Sequence, residues 1–189
     1  MIKVPVEITA RHLHISKHDL EILFGRNYKL KVLKSINQPG QFAAKETISL
    51  KGSKNVLNKV RIVGPIRKAT QVEITLTDSY VLGIKVPYRK SGQLKNSGKL
   101  TLIGPRGEVN LKQGVIIPLR HLHLSPTEAI NLKLKDKQKV SVKVGSERHV
   151  TFHNVIVRVH KDFKLSVHLD TDEANACGLG KICGCGYLL

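Results

Sequence analysis

The sequence predicts a mainly β fold made of two β-barrels with short helices, related by internal duplication. Three observations predict it. Apolar residues alternate with a period of two through most of the chain, the pattern of half-buried strands. Gly and Pro turn signals cut these runs into many short strands, which suits barrels or a sandwich. A six-residue phrase, Arg11-His12-Leu13-His14-Ile15-Ser16, returns almost unchanged as Arg120-His121-Leu122-His123-Leu124-Ser125.

The first element is the apolar strand 4–10, and its counterpart before the second phrase is 114–119. After each phrase a serine can cap a short helix. Ser16 precedes Asp19 and the apolar run 20–24, and Ser125 precedes Pro126 and Glu128. An acidic residue at the third helical position and proline at the first are start signals for a helix. The repeat is thus a unit of strand, His-x-His, cap and helix. Between the phrases, 60–63, 70–77, 80–86 and 99–103 read as strands; after the second, so do 139–144, 151–159 and 163–169. In 70–77, Val72, Ile74 and Leu76 share one face while Gln71, Glu73 and Thr75 share the other. Turns are expected at Gly64-Pro65, Ser91-Gly92, Gly104-Pro105, Gly107 and Gly145-Ser146. Asp170 opens a further cap and helix start.

Composition narrows the class of function. The chain has 189 residues, 41% hydrophobic and 24% charged, enough for a sizeable core. No apolar run approaches the ~20 residues a membrane span needs, and the N-terminus lacks the apolar core of a secretory signal. The expected location is the cytoplasm, with no membrane partner. Cys177, Cys183 and Cys185 all lie near the C-terminus, and an odd number suits a reduced compartment. Cys183-x-Cys185 is too short a signal for a separate metal site, and the role of the three cysteines stays open. The formal charge of +18 calls for an anionic partner. Single-stranded nucleic-acid binders stack bases on aromatic side chains. Trp is absent here, and only four Tyr and four Phe exist, so nucleic acid is not the expected partner.

The histidines carry the chemistry. On a strand, residues i and i+2 point to the same side, so His-x-His delivers two imidazoles to one place. Of nine histidines, four occupy the two phrases. His168 has a similar setting, on the polar face of a strand whose apolar face is Leu165, Val167 and Leu169. His18, His149, His153 and His160 lack such company and read as surface or structural residues. Glu73 is the expected carboxylate ligand. Imidazoles with a carboxylate suit zinc or another divalent ion, and a catalytic site leaves a coordination position open.

The segments VPVEITARHLHIS, LFG, QPGQFAAKE, VRIVGPIRKATQVEI, GVIIPLRHLHLS and HLDTDEANA, in this order, resemble the propanediol-utilisation type of phosphotransacylase, the phosphate propanoyltransferases. The likeness spans essentially the whole chain. It implies two β-barrels capped by short helices: one from 1–10 with 119–189, the other from 11–118 with a small excursion around 25–45. It implies reversible transfer of a short acyl group, acetyl or propanoyl, between coenzyme A and inorganic phosphate. It also implies two zinc ions, one on His12, His14 and Glu73 and the other on His121, His123 and His168. Arg67 matches the phosphate-binding arginine, and Ile8, Thr9, Ala10, Lys54, Arg61 and Asn175 match positions that contact coenzyme A. The first strand begins close to Met1, so no microcompartment-targeting extension is recognised. The protein is expected to act as a homo-oligomer, a dimer. Two other readings stay open at this stage: a dinuclear metallohydrolase of thioesters or phosphoesters, and a basic β-barrel binder of nucleic acid.

Overall fold

The computed structural model describes residues 1–145, 147–180 and 184–189, so Ser146 of the expected Gly145-Ser146 turn and Cys183 lie outside the described residues. Strand β1 (Ile2–Thr9) runs almost directly into β2 (His12–His14), which is followed by helix α1 (Lys17–Phe24). Next come β3 (Val32–Ser35), β4 (Phe42–Lys51), β5 (Val56–Gly64), β6 (Gln71–Glu73), α2 (Leu76–Leu82), β7 (Tyr88–Arg89) and β8 (Gly98–Ile103). The opening then recurs: β9 (Glu108–Pro118) leads into β10 (His121–Leu124) and α3 (Pro126–Asn131). The chain finishes with β11 (Lys139–Val144), β12 (Val150–Val159), β13 (Ser166–Asp170), α4 (Thr171–Ala176) and β14 (Gly184–Leu188).

These elements form two units, Met1–Ala10 with Leu119–Leu189 and Arg11–Pro118. In the first, β1, β13, β10, β12, β11 and β14 pair in that order and close into a barrel. In the second, β4, β5, β2, β6, β9 and β8 pair in that order, and β8 returns to β4 to close a second barrel. Strands β3 and β7 hang on the outside, paired to β4 and β9.

The two closures follow one plan. β2 pairs parallel to β5 and antiparallel to β6; β10 pairs parallel to β12 and antiparallel to β13. β6 then pairs parallel to β9, as β13 does to β1. Each half of the chain therefore lends its opening strand to the other half's barrel: β1 completes the barrel of the later strands, and β9 that of the earlier ones.

The period of two explains which side of each strand faces in. Leu13, between the two phrase histidines, is fully buried with Ile62, Val72, Leu102 and Val115 in one core. Leu122 takes the same place among Val4, Val6, Val157 and Val167 in the other. Each such aliphatic side chain contributes roughly 1.5–3 kcal/mol through burial. His12 and His14 must then project from the opposite face of β2.

Among the described residues, four N-caps start four helices. Ser16, Ser125 and Asp170 cap α1, α3 and α4, each accepting from the backbone N–H three residues on. The fourth corrects the sequence reading. Residues 80–86 were expected in a strand and 70–77 as one continuous strand, but β6 stops at Glu73 and α2 occupies Leu76–Leu82. Thr75 and Asp78 form a reciprocal capping box, which outweighs the local alternation, so Leu76 belongs to a helix and not to the apolar face of a strand. Similarly, 163–165 precede β13, which begins at Ser166.

Candidate active site

Two groups of donors stand out, one in each unit. Ligand atoms of His12, His14 and Glu73 all lie within 4.8 Å of one another, and so do those of His121, His123 and His168. Strand register explains both. His12 sits directly opposite Glu73 across the β2–β6 ladder, and His121 directly opposite His168 across the β10–β13 ladder. Directly opposite residues share a face, so the third donor joins the two phrase histidines. Glu73 and His168 thus occupy one and the same place in the common plan.

In the first group, the His12 and His14 rings are 5.0 Å apart and edge-on, with His12 Nε2 3.8 Å from Glu73 Oε2. His14 Nδ1–H donates to the Val63 carbonyl at 3.0 Å, which leaves Nε2 as a bare acceptor. Burial, then the nearby His12 and Arg67, hold His14 down at about pKa 2, although its bond to Val63 pulls upward. This imidazole is neutral under all ordinary conditions. Glu73 is itself buried and accepts from Gln71 Nε2, a partner the sequence reading did not name. Gln71 is held in turn by Ser91 Oγ at 2.8 Å and by the Gly92 N–H at 2.7 Å.

In the second group, the His121 and His168 rings stack in parallel at 4.9 Å, and His123 lies 4.6 and 4.5 Å from them. His121 Nδ1–H donates to the Leu119 carbonyl at 2.8 Å, again presenting Nε2. Thr9 Oγ1 lies 3.4 Å from His168 Nδ1. Buried His123 stacks on Phe163 at 3.8 Å, and neither of its ring nitrogens has a hydrogen-bond partner among the described residues. Burial, then His121, His168 and Arg158, push its pKa far down. A buried polar atom without a partner costs free energy, and a cation would relieve that cost. The neutral His14 and His123 rings, the His121 ring turned by its Nδ1–H bond, and the buried Glu73 carboxylate fit a divalent metal in each group.

The remaining predicted residues divide between the units. Arg67 lies close enough to His14 to act on its protonation, and its N–H donates to the Ile15 carbonyl at 2.9 Å. Arg61 is the ladder partner of His12, and its guanidinium donates to the Ala44 and Lys45 carbonyls at 3.0 and 2.8 Å. Exposed Lys54 donates its N–H to the Leu82 carbonyl. Ile8 and Thr9 end β1, Ala10 follows exposed, and Asn175 is exposed on α4. His18, His149, His153 and His160 join neither donor group; His153 bonds Ser141 Oγ at 2.8 Å, and His160 lies 3.5 Å from Asp162. Cys177 is buried and donates to the Ala174 carbonyl, whereas Cys185 is exposed.

The sequence model of the phosphate propanoyltransferases matches residues 5–180. The chain belongs to this family. A phosphate propanoyltransferase of Lachnoclostridium phytofermentans is 48% identical over 174 residues, 92% of this chain and 81% of that protein. That of Thermotoga maritima is 47% identical over 92% of this chain and 83% of its own length. A third, from Rhodobacter capsulatus, is 46% identical over 93% and 82%. Membership makes this phosphate propanoyltransferase family member an acyltransferase enzyme. Among the described residues no helix is long and apolar enough to cross a membrane.

Proposed function

We propose that the protein transfers a short acyl group, acetyl or propanoyl, reversibly between coenzyme A and inorganic phosphate, at a histidine-rich site that holds two zinc or other divalent ions. The observation that carries this reading is the pair of register-equivalent donor groups, set on two barrels of one plan in a member of this family. His12, His14 and Glu73 would hold one ion and His121, His123 and His168 the other. When bound, such ions supply Lewis-acid stabilisation of negative charge on oxygen or sulfur.

The chain's own residues do the rest. The Arg67 guanidinium offers a planar fork to phosphate and orients one oxygen towards the thioester carbonyl. That oxygen forms a C–O bond, the C–S bond breaks, and the thiolate of coenzyme A leaves and later takes a proton from water. Phosphate is already anionic and needs no activating base. Ile8, Thr9, Ala10, Lys54, Arg61 and Asn175 are the proposed contacts to coenzyme A. Within one unit, Thr9 of this set touches His168 of the donor group. The high positive charge suits two polyanionic substrates, and the work is assigned to the cytoplasm and to a dimer.

The deciding experiment follows acyl phosphate and free thiol from acetyl- or propanoyl-CoA with and without phosphate. Phosphate-dependent acyl phosphate formation, abolished by chelation and restored by zinc, is expected. Thiol release at one rate with or without phosphate would make the protein a thioesterase instead.

A further inference from the structure

The duplicated plan contains one ion pair in duplicate. In one unit, Arg11 Nε and Nη2 grip Asp78 Oδ2 and Oδ1 at 3.0 and 2.8 Å. In the other, Arg120 Nε lies 2.9 Å from Glu173 Oε1. Both arginines immediately precede the first histidine of the phrase. Both carboxylates are the third residue of the helix that follows the third donor. Each carboxylate also accepts from its own N-cap backbone, Asp78 from Thr75 at 3.2 Å and Glu173 from Asp170 at 3.1 Å. Thr75 is two residues beyond Glu73, and Asp170 two beyond His168. Every link from arginine to third donor therefore has a counterpart in the other unit.

We propose that Arg11 and Arg120 are positioning residues, each clamping the start of the histidine strand to the helix cap beyond the third donor and so fixing the spacing of the three metal-binding side chains. The inference rests on the two-metal reading above. The physical need is plain: β2 and β6 are only three residues long, and so short a ladder leaves the ends of both strands free to shear. A half-exposed arginine on a carboxylate that is also hydrogen-bonded to its helix cap resists that shear. Asp78 is 2% exposed and would be costly to leave unpaired, which ties Arg11 to one place. The arginines reach carboxylates, not the donor groups, so their effect on metal is indirect.

The test measures zinc stoichiometry and affinity of the full chain at mildly alkaline pH, by competition with a chromophoric chelator. Wild type should bind two equivalents. Arg11→Gln and Arg120→Gln should each weaken one equivalent by about 10- to 100-fold, the range for residues that orient metal ligands, and leave the other unchanged. Assignment comes from a His121→Ala background that retains one equivalent: Arg11→Gln weakens it there and Arg120→Gln does not. Lysine at either position should restore part of the affinity by keeping the charge. Should Arg11→Gln fail to fold, Arg11→Gln combined with Asp78→Asn removes the buried unpaired charge and should still bind its zinc weakly. Lowered melting temperature with both zinc affinities intact would reduce the arginines to structural supports and overturn the inference. Wild-type protein that binds no zinc would overturn the two-metal reading, and this inference with it.

Discussion

The two barrels repeat one plan of strands, caps and ion pairs, yet Glu73 stands in one where His168 stands in the other. With a divalent ion, two imidazoles and a carboxylate leave one net positive charge, whereas three imidazoles leave two. Burial differs in parallel: His14 and Glu73 are both buried, while His121 and His168 flank buried His123 half-exposed. The frame is thus held constant while charge and access at the third donor vary. Duplication supplies the geometry once, and a single substitution in register makes the halves chemically distinct.

The largest effect should come from the most buried donor on each side. His14→Ala and His123→Ala should each lose one metal equivalent and reduce acyl phosphate formation more than about 100-fold, since removing even a ligand's outer partner costs roughly 10- to 100-fold. If one of them keeps two equivalents, that donor group leaves the comparison. Acid should act on both halves alike. Folded His14 and His123 resist protonation, whereas in the unfolded chain each takes up a proton near its ordinary pKa of 6.5. Stability of the metal-free protein from these groups is therefore fully present above pH 6.5 and falls as pH drops below it. The slope is on the order of 1 kcal/mol per pH unit for each histidine. Urea titrations at neutral and mildly acidic pH should show the loss, and His14→Gln should roughly halve it.

Arg67 separates the halves at another equivalent place. Its N–H bonds to the residue after His14, as the N–H of His160 bonds to the residue after His123. Arg67→Lys should raise the KM for phosphate about tenfold, with the KM for acyl-CoA little changed, because lysine keeps the charge but not the fork. Unaltered phosphate kinetics would remove Arg67 from the site. Glu73→His should have a milder outcome. The place opposite His12 accepts an imidazole just as the place opposite His121 does, so two equivalents should remain, with one affinity changed within about tenfold. Loss of that equivalent would show that the two places differ in more than the donor. The smallest effect belongs to His160→Ala, expected to leave both KM values within about twofold.

Much of the candidate site could be read along the chain because its signals are local. The His-x-His phrases sit on strands as their spacing requires, and Ser16, Ser125 and Asp170 cap helices as the acidic third position indicates. Thr75-Leu76-Thr77-Asp78 carries the same cap signal, but alternation of Val72, Ile74 and Leu76 masked α2. Arg11 and Arg120 were part of the repeated phrase from the outset. Their partners, however, lie on helices reached only through strand pairing. Gln71, Phe163 and the carbonyls of Val63 and Leu119, which orient or pack the donors, had no sequence signal of their own.

What the sequence by itself determined is therefore the alphabet of the fold: strand faces, caps and paired imidazoles, each set by neighbours within a few residues through side-chain periodicity and backbone hydrogen bonding. The family resemblance implied that β1 joins the barrel of the later strands, but the tertiary structure alone decided that Glu73 comes to lie opposite His12 and His168 opposite His121, and that His14 and His123 are buried enough to stay neutral. Backbone groups pair alike whatever side chains they carry, so register between distant strands is chosen by how whole apolar faces pack, and burial exists only once that packing is complete.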